Sequence, residues 1–256
     1  MKSFKTKTIS VLNQKGGVGK TTSAVNIASF LAITETPILI IDMDPQGNAS
    51  TGLGVGNQKS TIYDLLINNK NIDSAIQKTE IDFLEIIPSN SQLAGVEIEL
   101  VSMFTRETIL KQIIQNVAGK YKYIIIDCPP SLGLLTINAL TASDSIIIPI
   151  QCEYYALDGL SQLLNTIRLV QKNLNSKLTI EGILITMFDS RLNLSQQVLK
   201  EVKDYFGDKV YKTLINRNVK LGEAPSHGKP IILYDASSTG SQNYMNLVSE
   251  ILQYND

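Results

Sequence analysis

Thr8-Ile-Ser-Val-Leu-Asn-Gln-Lys-Gly-Gly-Val-Gly-Lys-Thr-Thr22 is the stretch on which the fold turns. It opens as a short apolar run, passes through glycines at 16, 17 and 19, and leads into a helical apolar pattern at Thr21–Ala32. A strand that enters a glycine-rich turn and leaves as a helix is the context a phosphate cradle requires. Glycines let backbone N–H groups turn inward onto phosphate oxygens, and the helix N-terminus adds partial positive charge. In that reading Gly16, Gly17, Val18 and Gly19 form the cradle, and Lys20 reaches the β/γ-phosphates. Thr21 offers its hydroxyl to Mg²⁺, and Thr22 lies near the α-phosphate. The strict P-loop pattern puts glycine at position 14, where this chain has Gln14, and an additional lysine, Lys15, stands inside the loop.

Outward from the loop, β-rich runs alternate with longer helical patterns. Strands are expected at Thr8–Leu12, Pro37–Ile41, Phe83–Ile87, Tyr123–Ile126, Ser145–Ile150 and Thr179–Thr186, with a weaker one near Lys209–Thr213. Helices are expected at Ile62–Ile67, Leu93–Val117, Leu134–Thr141, Leu157–Asn173, Leu194–Phe206 and Gln242–Gln253. Runs such as Tyr123-Ile-Ile-Ile126 are apolar on both sides, as a buried parallel strand must be. The pattern predicts an α/β fold: a doubly wound, mostly parallel sheet with helices on both faces. No internal repeat or low-complexity linker interrupts it, so residues 1–256 read as a single domain.

Composition removes other classes. The 256 residues are 43% hydrophobic and 18% charged, which excludes disorder, collagen-like repeats and a coiled-coil rod. Net charge is −1, so no global positive field drives the chain onto nucleic acid or anionic membrane. Cys128 and Cys152 cannot build a disulfide framework or a four-thiolate metal site within one chain. No apolar run approaches the roughly 18 residues of a membrane span, and the charged start is not a signal peptide. A soluble cytoplasmic protein is expected. Charge is nonetheless uneven: residues 168–229 carry 11 basic and six acidic side chains, against 12 and 15 in residues 1–167 and none and three in residues 230–256.

Carboxylates follow the strands. Asp127 ends an apolar strand, where a carboxylate faces the ligand crevice of a doubly wound sheet and holds Mg²⁺, or else caps a helix. Asp42 and Asp44 end the second strand two residues apart, before a Pro45-Gln-Gly turn. Each also reads as a turn-capping aspartate.

Lys15-Gly-Gly-Val-Gly-Lys-Thr-Thr22 resembles the deviant Walker A motif of the ParA/MinD ATPase superfamily. The resemblance continues through Ile41-Asp-Met-Asp-Pro-Gln-Gly-Asn48, Ile126-Asp-Cys-Pro-Pro-Ser131, Gln151-Cys-Glu-Tyr154 and Glu223-Ala-Pro-Ser-His-Gly-Lys-Pro230, and points to the chromosomal ParA/Soj branch. It implies an ATP- and Mg²⁺-dependent homodimer that hydrolyses ATP weakly until a ParB-type centromere-binding protein stimulates it. Asp44 then positions the attacking water, Asp127 and Asp42 support the Mg²⁺ shell, and Lys15 reaches across to the partner's phosphates. Gly16 keeps the two loops free to approach. Met187 and Asn216 become base contacts, although Ile215-Asn216-Arg217-Asn218 lacks a proline that relatives often carry there.

The same resemblance implies that the ATP dimer binds double-stranded DNA without sequence preference and associates with the nucleoid. Arg191 and Lys220 match basic positions of that surface. Arg217 serves the nucleotide, the dimer or DNA, and Lys200, Lys203 and Lys212 are further candidates or ordinary solvated side chains. Only 14 residues precede Lys15, too few for an N-terminal helix-turn-helix domain. Two alternatives share the fold. A MinD-like membrane regulator needs a basic amphipathic C-terminal helix, whereas Thr239–Asp256 has no Lys or Arg. A small-molecule ATP-dependent ligase or kinase is not expected to carry the Asp-Pro-Gln-Gly-Asn and Glu-Ala-Pro-Ser-His-Gly segments. Neither cysteine lies in a Cys-x-x-Cys pair, so both read as structural, and His227, the sole histidine, reads as part of a structural loop.

Overall fold

The computed structural model describes residues 4–56, 60–153 and 160–255. Among them, β1 (Lys7–Val11), β2 (Ile38–Asp42), β3 (Gln77–Lys78), β4 (Leu84–Ile87), β5 (Tyr123–Asp127), β6 (Ser145–Gln151) and β7 (Thr179–Thr186) form one sheet. Its order is β3-β4-β2-β5-β1-β6-β7, and only the short edge strand β3 runs antiparallel. β1 lies centrally, between β5 and β6, so the loop that follows it opens onto the crevice where the strand order reverses. Register sets the crevice floor: Val11 pairs with Asp127, and Asp127 with Asp42. These two acids, 85 residues apart in sequence, are thereby brought side by side.

Helices cover both faces, as the run of two-sided apolar strands demands. On one side α1 (Lys20–Ile33) and α11 (Thr239–Asn255) bury Ala24, Ile27, Leu31, Tyr244 and Leu247. On the other, α6 (Leu134–Ala142), α7 (Leu160–Asn173) and α8 (Asn193–Phe206) bury Leu135, Leu163 and Val198. Each fully buried Ile or Leu contributes about 1.5–3 kcal/mol. α1 is buried on nearly every side, because shorter helices α2 (Asn48–Gly52) and α10 (Ile231–Tyr234) also pack on it. The expected α/β, mostly parallel architecture is what forms.

Two expectations are corrected. Lys209–Thr213 is not a strand: Val210 alone bridges Ile183, and Glu250 of α11 accepts the N–H groups of Lys212 and Thr213 at 2.7 and 3.0 Å. A side chain thus takes the donors that a ladder would have used. Leu93–Val117 is not one helix but a 3₁₀ turn followed by α4 (Val96–Glu99) and α5 (Ile109–Gln115), with α3 (Ile62–Leu66) earlier in the chain. Met103 is extended and Thr105 left-handed, and Asn138 of α6 then fixes the new start by bonding Arg106 O at 2.7 Å and Leu110 N at 3.2 Å. The start of the expected Leu157 helix, and Tyr154 of the fourth motif, lie outside the described residues. The sequence reading also missed β3, α2, α9 (Val219–Glu223) and α10, all of five residues or fewer. No helix among the described residues is long and apolar enough to cross a membrane.

Candidate nucleotide site

β1 delivers the loop to α1 with Gly17 at φ 75° and Gly19 at φ 85°, both left-handed and therefore suited to glycine. Gly19 is the N-cap of α1, and no side chain caps the helix, so its first N–H groups stay directed at the crevice. Asn13 ties the loop down: its Nδ2 donates to Pro149 O of β6 at 2.7 Å, and its Oδ1 accepts Lys15 N–H at 3.0 Å. Val18 is buried, and Thr186 Oγ1 donates to its carbonyl at 2.9 Å. Gly16 differs from its neighbours: its φ is not positive, and none of the described residues lies within 4 Å of a Cβ built there.

Charge converges below the loop. Lys20 is buried, donates to Lys15 O at 2.8 Å, and is pulled below the usual lysine range by that burial while Asp127 and Asp44 oppose the shift. Asp127 is fully buried, and neither carboxylate oxygen has a hydrogen-bond partner among the described residues. Burial first and the Asp42 charge second hold it well above the carboxylate range, with the Thr21 hydroxyl and Lys20 offsetting only part. An uncompensated buried carboxylate of this kind is a strong demand for a cation. No group of three or more His, Cys, Asp or Glu among the described residues could hold one. A cation here would take its other oxygens from hydroxyl, water or ligand groups, which fits a phosphate-bound Mg²⁺.

Asp42 and Asp44 divide their work. Asp42 is engaged on both oxygens: Oδ1 accepts Asp44 N–H at 3.1 Å, and Oδ2 accepts Ser50 N–H at 2.9 Å and its hydroxyl at 2.7 Å. Burial pushes it up to about 6 against those bonds. It shapes the 42–50 loop and starts α2. Asp44 accepts Gln46 N–H at 2.9 Å and lies near enough to Lys20 to affect it electrostatically. Lys15 Nζ pairs with Glu153 at 2.9 Å.

Two clefts flank the loop. One, of about 200 Å³, is lined by Gly19, Thr22, Met187, Asn216, Arg217 and Leu221. Met187 adopts φ 51°, and the Phe188–Asn216 bridge fixes the wall opposite α1. Asn243 of α11 accepts Asn216 N–H at 3.0 Å. The expected base contacts Met187 and Asn216 are thus brought together with Thr22, and Thr186, Leu221 and Gly222 join them unforeseen. The other, of about 240 Å³, runs beside Thr21 and Thr22 to Asn48, Thr51 and Pro225. Beyond it the 223–230 segment crosses the end of α2, where a Cβ on Gly54 would stand 2.9 Å from Gly228 O. His227 stacks on Tyr234 at 4.9 Å, in keeping with a loop role. Cys128 and Cys152 are buried, free and pushed upward by desolvation, Cys152 to about 11.

A family model described as an AAA domain matches residues 6–180. The sporulation initiation inhibitor protein Soj of Bacillus subtilis is 58% identical over 247 residues, spanning 96% of this chain and 98% of that protein. The chromosome partitioning protein ParA of Myxococcus xanthus is 53% identical over 247 residues, 96% of this chain and 87% of that one.

The chain belongs to the ParA/Soj family of P-loop ATPases.

Among solved structures, one named cobyrinic acid a,c-diamide synthase from Mycobacterium smegmatis, with bound ADP and magnesium, is similar with a TM-score of 0.86. It is 33% identical and covers 97% of this chain and 95% of that one. The expected basic positions all fall within residues 187–221. Arg191 is exposed and bidentate on Asp189 at 2.9 and 2.7 Å; Lys220 on α9 pairs with Glu223 at 3.1 Å; Arg217 is exposed between them in sequence.

Proposed function

We propose that this protein is an ATP-dependent dimerising switch for chromosome or plasmid partitioning, acting as a single ATPase unit. It converts ATP and water to ADP and phosphate, slowly until a ParB-type partner stimulates it. The observation that carries this reading is a deviant phosphate loop, Lys15 included, in a chain 58% identical to Soj across 98% of that protein. The partition proteins exceed in identity the 33% of the structure bearing a biosynthetic enzyme's name, so the small-molecule reading ranks second.

The cradle of Gly16, Gly17, Val18, Gly19, Lys20, Thr21 and Thr22 binds the phosphates, and Met187 and Asn216 enclose the base. Thr21 and Asp127 hold Mg²⁺ with the phosphate oxygens, while Asp42 keeps the adjoining loop in register. Bound Mg²⁺ supplies positive charge that offsets the charge of the phosphate oxygens. Asp44 orients the attacking water and polarises its O–H bond. Lys20 and, from the second subunit, Lys15 stabilise charge on the transferring phosphoryl group, as an arginine finger does. Gly16 supports the two-subunit arrangement: among the described residues of one subunit, no backbone strain or neighbour requires glycine there. A facing loop would.

In the ATP dimer, Arg191, Lys220 and Arg217 of both subunits contact DNA phosphates without reading sequence. Co-sedimentation with random-sequence duplex DNA, in ATP–Mg²⁺ and in ADP–Mg²⁺ across a salt series, tests the switch. Binding confined to ATP and falling steeply with salt is the expected result; absence of binding in both states rejects it.

A further inference from the structure

The three bases assigned to DNA do not form an unopposed positive patch. Arg191 turns its Nε and Nη2 onto Asp189 Oδ1 and Oδ2 at 2.9 and 2.7 Å, and its own N–H also bonds Asp189 Oδ1 at 3.0 Å. The pairing holds Asp189 down to about 2, with Arg217 adding to the effect. Asp189 thus sits between two of the three bases: the bond from Arg217 N–H to Phe188 O at 3.0 Å sets residue 217 beside it. Lys220 is held the same way. Its ammonium meets Glu223 Oε2 at 3.1 Å and lies 5.6 Å over the Tyr234 ring, while Tyr234 OH donates to the same Glu223 oxygen at 3.0 Å. Asp235 also acts on Lys220 from further away.

We infer that Asp189 and Glu223 are built-in attenuators of the DNA surface, carboxylates that occupy the phosphate-binding edges of Arg191 and Lys220 and must yield to DNA. This rests on the DNA reading above. A guanidinium presents the Nε/Nη2 edge equally to carboxylate and to phosphate. While Asp189 holds it, a phosphate meets a nearby negative charge in addition to a used edge. Among the described residues Arg217 alone of the three bases has no ion pair, so one unpaired base stands on each subunit and two on a dimer. That arithmetic gives a physical reason for a lone subunit to release DNA and a dimer to hold it. Removing both acids leaves three positive charges on one subunit, more than the native dimer offers.

Asp189→Asn and Glu223→Gln test the inference, because each keeps an oxygen acceptor, for Arg191 N–H and Tyr234 OH respectively, while losing the charge. Affinity for random-sequence duplex is measured by fluorescence anisotropy at fixed moderate salt, in ATP–Mg²⁺ and ADP–Mg²⁺, with a thermal melt of each variant. Each single variant is expected to bind roughly three- to tenfold more tightly in ATP, the scale of two exposed ion pairs per dimer. The double variant is expected to bind DNA in ADP as well. In an Arg191→Ala background the gain from Asp189→Asn should largely vanish, as it acts through that side chain. Unchanged or weaker binding by both folded single variants overturns the inference while leaving the DNA surface standing. Should one variant melt early, the other decides. Absence of DNA binding by the wild type and by every variant overturns the DNA reading and this inference with it.

Discussion

At the scale of single residues, the candidate site is a set of buried charges arranged so that each has one unmet need. Asp127 has no geometric hydrogen-bond partner among the described residues, with only the Thr21 hydroxyl and Lys20 offsetting its burial. Lys20 lies buried under the influence of two acids, and Asp44 stands one loop away with Gln46 N–H on its Oδ1. If Asp44 orients the attacking water, Asp44→Ala should still bind ATP and dimerise while turnover falls by roughly 10²–10⁴-fold. Phosphate release is the measurement, and a wild-type rate would remove Asp44 from the chemistry. The cysteines behave oppositely, as apolar filler. With Cys152 pushed up to about 11, only about a thousandth of it is thiolate at pH 8. Its alkylation by iodoacetamide should therefore be slow at pH 8 and accelerate toward pH 11, while Cys128 reacts only in denaturant. Fast labelling of the native protein at neutral pH would contradict this.

Among the elements, the short ones matter most. α2 exists because Asp42, at the end of β2, accepts both Ser50 donors, so the acid beside the crevice also nucleates the helix behind it. The 223–230 segment then presses on that helix through two backbones, Gly54 at φ 71° and Gly228 at φ 63°, which leave no room for a Cβ on Gly54 and little for one on Gly228. Gly54→Ala meets both a left-handed backbone and a carbonyl at 2.9 Å, and should cost roughly 2–4 kcal/mol. Urea unfolding would show it as a lower midpoint at unchanged slope; an unaltered midpoint would mean the crossing relaxes freely. The same short contacts explain what the sequence could not reveal. Helices of four or five residues carry too few turns for a periodic signal, and the weak strand at Lys209–Thr213 lost its donors to Glu250, 37 residues or more away.

On the scale of the whole molecule, the proposal requires two subunits. On the proposed reading Lys15 and Gly16 serve the second subunit; within one subunit Lys15 pairs with Glu153, and none of the described residues crowds Gly16. Turnover per subunit should rise with protein concentration in the wild type. Lys15→Ala should abolish that rise and depress maximal hydrolysis about 10³-fold or more, while leaving monomeric nucleotide affinity largely intact. Equal turnover in the variant would place the phosphoryl-stabilising charge elsewhere.

Local order alone determined the phosphate loop, the alternation of strands and helices and the strand-end acids, because each depends on neighbours a few residues apart: glycine conformations, apolar periodicity, a carboxylate closing an apolar run. What only the tertiary structure decided depends on groups far apart in sequence. Register set Asp42 against Asp127; segments 187–188 and 215–217, joined by the Phe188–Asn216 bridge, folded together into a cleft that Thr186, Leu221 and Gly222 complete. Charge followed the same division. The basic surplus of residues 168–229 is countable along the chain, but whether it is free depends on which acids fold against it, and Asp189 and Glu223 do. Composition fixes how many charges there are, and packing fixes which of them face a partner bare.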